Sequence, residues 1–197
     1  SPVMNVDPAG DLVALADALD AAVGPRLRRD EALGPMTTYR VGGQAALFVE
    51  VEPPADLAAI AAALTATDGS VPVLVVGKGS NLLVHDDGFA GLALRLGGDF
   101  AELAIEGTTV HAGGAVALPV LARQTAVAGL TGLEWAVGVP GSVGGGVRMN
   151  AGGHGADIAS TLVRVRLLDL HTGEDGDVSA ADLHLGYRHS SVRPEQV

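Results

Sequence analysis

Between Gly138 and Gly155 the sequence places eight glycines in 18 residues: Gly138-Val139-Pro140-Gly141-Ser142-Val143-Gly144-Gly145-Gly146, then Met149-Asn150-Ala151-Gly152-Gly153-His154-Gly155. Glycine loses more backbone freedom on folding than any other residue, so such density disfavours regular helix and strand alike. A flexible linker would share the composition, but linkers seldom interleave Val139, Val143, Val147 and Met149 among their glycines. The stretch reads as a loop that brings main chain close to a ligand. Ser142 and Asn150 are its natural donors to an anion or to a ring edge.

A second segment makes the same demand. Gly77-Lys78-Gly79-Ser80-Asn81-Leu82-Leu83 follows the apolar run Val73 to Val76. Glycines there allow main-chain N–H groups to converge on anionic oxygens, and Ser80 and Asn81 add side-chain donors. Two familiar phosphate loops do not fit. A dinucleotide fingerprint would need a third glycine where Leu82 stands, and a Walker loop ending at Gly77-Lys78 would need glycine at Pro72 and Ser or Thr at Gly79. By itself the segment is equally an ordinary tight turn.

Composition narrows the chemistry. Twelve Lys and Arg against 23 Asp and Glu give a net charge of −11, which opposes tracking along nucleic-acid phosphates or docking on an anionic membrane. Cysteine is absent, which excludes disulfides, thiolate nucleophiles and Cys-ligated metals. The six histidines show no His-x-x-x-His spacing, so no metal site is expected. No apolar run approaches the roughly 18 residues of a spanning helix. The first residues lack the basic and apolar regions of a secretory leader, and a cytoplasmic location is expected.

Periodicity supplies the frame. Leu12, Leu15, Ala16, Leu19 and Val23 recur at helical spacing, and Gly24-Pro25 stops them. The charged run Arg26 to Asp30 reads as exposed. Strand alternation follows over Ala46–Val51, and Pro53-Pro54 opens a helix through Leu64, closed near Asp68-Gly69. Val73–Val76 and Leu92–Leu96 read as strands, and Leu103–Ile105 with Thr109–His111 flank Glu106-Gly107 at hairpin spacing. Leu118–Ala128 is a helix with Gly129 at its C′ position. Val163, Val165 and Leu167 alternate with Arg164 and Arg166, and His171-Thr172-Gly173 turns that strand back. The class is α+β, with a lobe boundary near Gly97-Gly98. Of the remaining polar groups, Glu134 and Asp157 serve equally as caps or as acids and bases, and Tyr187-Arg188 reads from spacing alone as a surface pair.

Taken in order, Thr37-Thr38-Tyr39-Arg40-Val41-Gly42-Gly43, Gly77 to Leu83, Gly132-Leu133-Glu134, Gly138 to Gly145, Met149 to Gly152 and Gly186-Tyr187-Arg188-His189-Ser190 resemble the UDP-N-acetylenolpyruvoylglucosamine reductase (UDP-N-acetylmuramate dehydrogenase) family of flavoenzymes. The resemblance covers roughly residues 36 to 190. It implies a two-lobe FAD-binding fold of the vanillyl-alcohol-oxidase (PCMH) type: a helical extension over 1–35, lobes over 36–98 and 99–190, and 191–197 starting the connection to a C-terminal substrate domain absent from this chain. Non-covalent FAD is expected against Gly77, Lys78, Gly79, Ser80, Asn81 and Leu82 in the first lobe. From the second lobe, Gly138, Pro140, Gly141, Ser142, Gly144, Gly145, Asn150, Ala151, Gly152 and Gly153 are expected to line it. NADPH is the implied co-substrate and a UDP-sugar enolpyruvyl ether the substrate, its carboxylate met by Arg188, with Tyr187 walling the flavin or substrate. The family's proton-donating serine and assisting glutamate belong to the C-terminal domain, and Ser190 and Ser191 do not replace them. The chain is accordingly expected to bind FAD without full activity. Another FAD-dependent oxidoreductase of the same fold, or a non-catalytic nucleotide-binding module, would show many of the same features.

Overall fold

A computed structural model describes residues 8–67 and 69–197, with only the backbone of residues 8 and 9. Its first lobe is built on β1 (Leu27–Ala32), β2 (Gln44–Val51), β3 (Val73–Val75) and β4 (Phe89–Leu96), in the order β1-β2-β4-β3. β4 runs parallel to β2 and β3, and β1 closes the far edge antiparallel to β2. The central pair is buried on both faces, as parallel strands require. Leu47, Val49, Val51, Leu92 and Leu94 face one core, and Phe48, Ala93, Val76 and Leu33 the other. A register shift between Ala45 and Leu47 turns Ala45 onto the Phe48 side, the rotation that one extra residue imposes on a period-two strand.

Two expectations for the N-terminal region are corrected. Helix α1 (Pro8–Val23) is no extension of the lobe. Leu15 and Leu19 are fully buried with Leu57, Ile60 and Leu64 of α2 (Pro54–Thr65) and with the sheet. Each such leucine contributes about 1.5–3 kcal/mol of burial, so α1 belongs to the first lobe. The run Arg26 to Asp30 is likewise not a free charged surface: it enters edge strand β1, with Arg28 lying 4.7 Å over the Phe48 ring. Charged side chains on an outer strand discourage further pairing. The expected closure of α2 falls earlier, at Ala66, and Asp68 lies outside the described residues.

The elements of the second lobe follow Gly98, a left-handed residue at φ 47°. Hairpin β5 (Leu103–Glu106)–β6 (Thr109–Ala112), helix α3 (Leu118–Val127), a 3-10 turn at Glu134–Gly138 and helix α4 (Val143–Arg148) come first. The small hairpin β7 (Gly152–Gly153)–β8 (Ala156–Asp157) and the larger β9 (Arg164–Leu168)–β10 (Asp175–Ser179) follow. Leu118, Leu121, Trp135, Val147, Ile158 and Leu183 form its core. Arg164 and Arg166 lie on the outer face as expected, paired with Asp177 and Asp175 across the hairpin. The glycine-rich stretch departs from a pure loop, because Val143–Arg148 is helical and capped by the Ser142 side chain. Two-lobe α+β architecture is therefore present.

Residues 191–197 are not a loose connection. Val192 packs on the second core and Val197 on the first. Arg193 pairs with the buried Asp169, which also accepts the N–H groups of His171 and Thr172 at 3.0 Å. Desolvation alone would raise the Asp169 carboxyl, but the Thr172 N–H, the Arg193 guanidinium and the His171 N–H outweigh it and hold the group below its ordinary value. A depressed folded-state pKa gives stability that is complete above the unfolded value of about 3.9 and is lost as pH falls through the folded value. Asp169→Asn is thus expected to cost about 1–3 kcal/mol at neutral pH. Urea titrations of the two proteins should converge as pH drops below about 4; a deficit independent of pH would contradict this assignment.

Candidate functional site

The two glycine-rich segments meet where the lobes face each other. Strand β3 ends at Val75 and delivers the Gly77–Leu82 loop to the corner at Pro140–Ser142, which leads into α4. A Cβ built on Gly77 would stand 2.7 Å from the Ser142 Oγ, and one on Gly141 3.2 Å from the Ser80 Oγ. The Ser80 hydroxyl donates to the Pro140 carbonyl at 3.4 Å. Gly79 is left-handed at φ 68°, and a Cβ there would lie 2.0 Å from the Met36 carbonyl, while its own carbonyl accepts from the Thr38 N–H at 3.0 Å. No residue with a Cβ fits at that position without moving backbone.

This convergence leaves donors unused. Among the described residues, the N–H groups of Gly77, Lys78, Gly79, Ser80, Asn81, Leu82, Gly141 and Ser142 have no acceptor within the protein. A run of such groups around a left-handed glycine is an anion-binding concavity. The charge distribution agrees with that reading. Seven arginines are ion-paired, and of the five other Lys and Arg side chains, which have no acidic partner among the described residues, Lys78, Arg40, Arg148 and Arg188 lie on or beside these loops. Lys78 is the chain's one lysine and is exposed on the loop.

Not every expected residue serves the concavity. Ser142 offers it only its N–H: the residue is buried, and its Oγ accepts from the Gly145 N–H at 3.4 Å as the cap of α4. Gly144 answers to packing: its N–H donates to the Gly114 carbonyl at 2.9 Å, and a Cβ would stand 3.2 Å from that oxygen. Gly152 answers to its own hairpin, where a Cβ would meet the Ala156 carbonyl at 2.6 Å. Ala151 donates to Gly146 within the protein. Gly138 and Gly153 face no close backbone, with the nearest neighbour of a Gly153 Cβ being Val139 at 3.8 Å.

The side chain of Asn150 corrects its expected role as a ligand donor. It is 6% exposed and fully engaged: Nδ2 donates to Asp157 at 3.0 Å and to the Gly186 carbonyl at 3.1 Å, and Oδ1 accepts the Ala159 N–H at 3.0 Å. Asn150 is therefore a brace. It holds the tight turn in which Gly186 and His189 exchange backbone hydrogen bonds at 3.0 and 3.1 Å, with Tyr187 and Arg188 at the tip. The Ser190 hydroxyl pins the other side of that turn to the Arg148 carbonyl at 2.6 Å. Arg188 adopts φ 52° and sits 5.6 Å from the Tyr187 ring, which is 91% exposed. Both tip side chains thus project from a turn locked to the end of α4.

Glu134 and Asp157 are local braces rather than acids or bases. Glu134 accepts the Gly132 N–H at 2.7 Å, and Asp157 caps the turn at Ile158–Ser160. No three of His, Asp and Glu gather as metal ligands among the described residues, and none of the described helices is long and apolar enough to cross a membrane. Two contributors went unassigned in the sequence. Met36–Thr38 buttresses Gly79, and Gly114 seats α4. The Thr37–Gly43 motif and the Gly113-Gly114 pair were their visible signals. Asn150→Ala removes one of the two hydrogen bonds to the Gly186 carbonyl, leaves the Ala159 N–H without its partner and is expected to cost about 1–3 kcal/mol in urea unfolding with no cofactor present. Asn150→Asp should do no better, since it cannot donate and faces Asp157; unchanged stability in both would return Asn150 to a ligand role.

A family model described as an FAD binding domain matches residues 45–178. The match takes in both glycine-rich segments and stops short of Tyr187. The chain is 45% identical over 170 residues to the UDP-N-acetylenolpyruvoylglucosamine reductase of Caulobacter sp. (strain K31), covering 85% of this chain and 54% of that protein. It is 44% identical over 187 residues to the enzyme of the same name from Methylorubrum extorquens (strain PA1), covering 93% and 59%. The crystal structure of UDP-N-acetylenolpyruvylglucosamine reductase from Thermus caldophilus superposes with a TM-score of 0.71 at 34% identity, over 87% of this chain and 59% of that one. The chain thus spans little more than half the length of the relatives it matches. The two-lobe frame matches, both glycine-rich segments lie within the matched residues, and the chain belongs to the FAD binding domain family.

Proposed function

We propose that this chain is the flavin-holding part of a reductase that uses NADPH to convert UDP-N-acetylglucosamine enolpyruvate to UDP-N-acetylmuramate. That step belongs to peptidoglycan precursor synthesis in the cytoplasm, on which cell shape and division depend. The observation that carries the reading is the set of eight unused N–H groups where the Gly77–Leu82 loop meets Gly141-Ser142. The relatives named above supply the reaction. Bound FAD provides hydride transfer from the nicotinamide to the terminal carbon of the enolpyruvyl group.

The remaining chemistry is assigned to the protein. The main chain from Gly77 to Leu82 and at Gly141-Ser142 holds the pyrophosphate, with Lys78 adding positive charge and Asn81 a free side-chain donor. Gly138, Pro140, Gly144, Gly145 and the Ala151–Gly153 hairpin shape the wall around it by fixing α4 and its corner. Hydride addition to the enolpyruvyl carbon pushes electron density into the adjacent carboxylate. Arg188 meets that charge with a planar pair of donors, which a lysine does not offer. Held by Asn150 and Ser190 before substrate arrives, it needs little reorganisation as charge develops, the condition under which such a group lowers a barrier. Tyr187 covers the neighbouring face.

Two measurements test this. The purified chain mixed with FAD and desalted is expected to keep a protein-perturbed flavin absorption band, released by acid precipitation because the cofactor is not covalently held. In a protein with the relatives' full length, Arg188→Ala should leave flavin reduction by NADPH unchanged and slow reoxidation by the enolpyruvyl substrate by about 10²–10³-fold. Unchanged rates in both half-reactions would remove Arg188 from the mechanism.

A further inference from the structure

Asp157 is half-buried and pairs with no basic side chain among the described residues. Its two carboxylate oxygens are divided between different neighbours. Oδ1 accepts the Ser160 N–H at 3.2 Å and the Ser160 hydroxyl at 3.0 Å, which completes the local cap. Oδ2 accepts from Asn150 Nδ2 at 3.0 Å. The β7–β8 hairpin is shaped to bring the carboxylate there, since a Cβ on Gly152 would stand 2.7 Å from the Asp157 Cβ. The cap uses one oxygen, and the other serves Asn150.

What Asp157 gives Asn150 is a direction. An amide side chain has a donor end and an acceptor end, and turning it by half a revolution exchanges them. In the observed sense Oδ1 meets the Ala159 N–H, and Nδ2 meets two acceptors, Asp157 and the Gly186 carbonyl. The reversed amide would set Oδ1 against both of those oxygens. An asparagine at position 157 would ask for that reversal, because with its own oxygen kept on the two Ser160 donors its NH₂ would face Asn150.

The Gly186 carbonyl anchors a strained turn. It also accepts the His189 N–H at 3.1 Å, across a four-residue turn whose third residue is Arg188. With Arg188 at φ 52° and Tyr187 outside the positive range, the turn has the sign pattern of type II. That type favours glycine or asparagine at its third position. An arginine held there persists only where the surrounding contacts over-determine it.

We propose that Asp157 is a positioning residue for Arg188. It fixes the sense of the Asn150 amide, the amide holds the Gly186 carbonyl, and the carbonyl holds the turn that presents the guanidinium. The inference rests on the role proposed for Arg188. Its effect falls on flavin reoxidation by the enolpyruvyl substrate, the step in which a preorganised cation meets developing charge. Binding of FAD and its reduction by NADPH do not draw on the turn.

The test uses a protein of the relatives' full length and, for the turn itself, this chain. Asp157→Asn is expected to slow reoxidation at saturating substrate by about 10–100-fold; a reacting group misplaced by about 1 Å can cost about 10². FAD affinity and reduction by NADPH should stay as they are. Adding Asp157→Asn to Arg188→Ala should slow the reaction no further, because residues that act as a unit are not additive. Asn150→Asp combined with Asp157→Asn restores the bond between the two side chains and the bond to Ala159, yet offers Gly186 no donor. That pair should resist urea better than Asn150→Asp alone and reoxidise no faster. In the chain without flavin, hydrogen exchange at the His189 N–H should quicken at least tenfold in Asp157→Asn. Reoxidation at the unsubstituted rate in Asp157→Asn would overturn the proposal, as would slowing that multiplies with that of Arg188→Ala. Unchanged exchange at His189 would overturn it whatever the rates. Quickened exchange beside an Arg188→Ala protein that reoxidises normally would uphold the positioning and place the failure in the role assigned to Arg188.

Discussion

The architecture turns on one close approach, that of the Gly77–Ser80 turn to the Pro140–Ser142 corner. Each side of the contact carries a glycine whose added Cβ would crowd the other side: Gly77 against the Ser142 hydroxyl at 2.7 Å and Gly141 against the Ser80 hydroxyl at 3.2 Å. Backbone can come this near only where side chains are missing. The result is two lobes whose unused N–H groups face one region. Around that contact the other parts are supports. The Met36–Thr38 turn holds Gly79 from behind, the Gly114 carbonyl seats the start of α4, and α4 carries the chain on to Asn150.

Support extends from there to the exposed tip at Tyr187-Arg188. Its turn has no core of its own, so its position comes from two hydrogen bonds, one from Asn150 to the Gly186 carbonyl and one from Ser190 to the Arg148 carbonyl. An arginine proposed to meet developing charge gains from being held before the substrate arrives. Here the holding is done by buried polar groups, which lose most when a partner is removed. On the proposed reading the fold separates two tasks: main chain binds, and buried side chains orient.

Much of this was legible in the sequence. Helical spacing from Leu12 to Val23, the Glu106-Gly107 hairpin and the Gly129 stop all recur in the structure at the expected places. Composition also told which segments must bring backbone close. It could not tell what each glycine approaches. Gly144 and Gly152 look like ligand glycines in a one-dimensional reading, yet they answer to Gly114 and Ala156. Asn150 reads as a donor because nothing in its local sequence reveals Gly186, 36 residues away. Local polarity also hid the role of Arg26 to Asp30, whose pairing with β2 is a tertiary fact. The N-terminal helix was set apart only because the motifs begin after it, whereas Leu15 and Leu19 fill the first core.

The central claim is that the main chain from Gly77 to Leu82 grips the cofactor's pyrophosphate. The most direct measurement is a two-dimensional amide spectrum of the isotopically labelled chain titrated with FAD. The amide protons of Gly77 to Leu82 and of Gly141-Ser142 should move downfield, as N–H groups do on meeting an anion, and their hydrogen exchange should slow. Amides that stay in place while flavin binds elsewhere would contradict it.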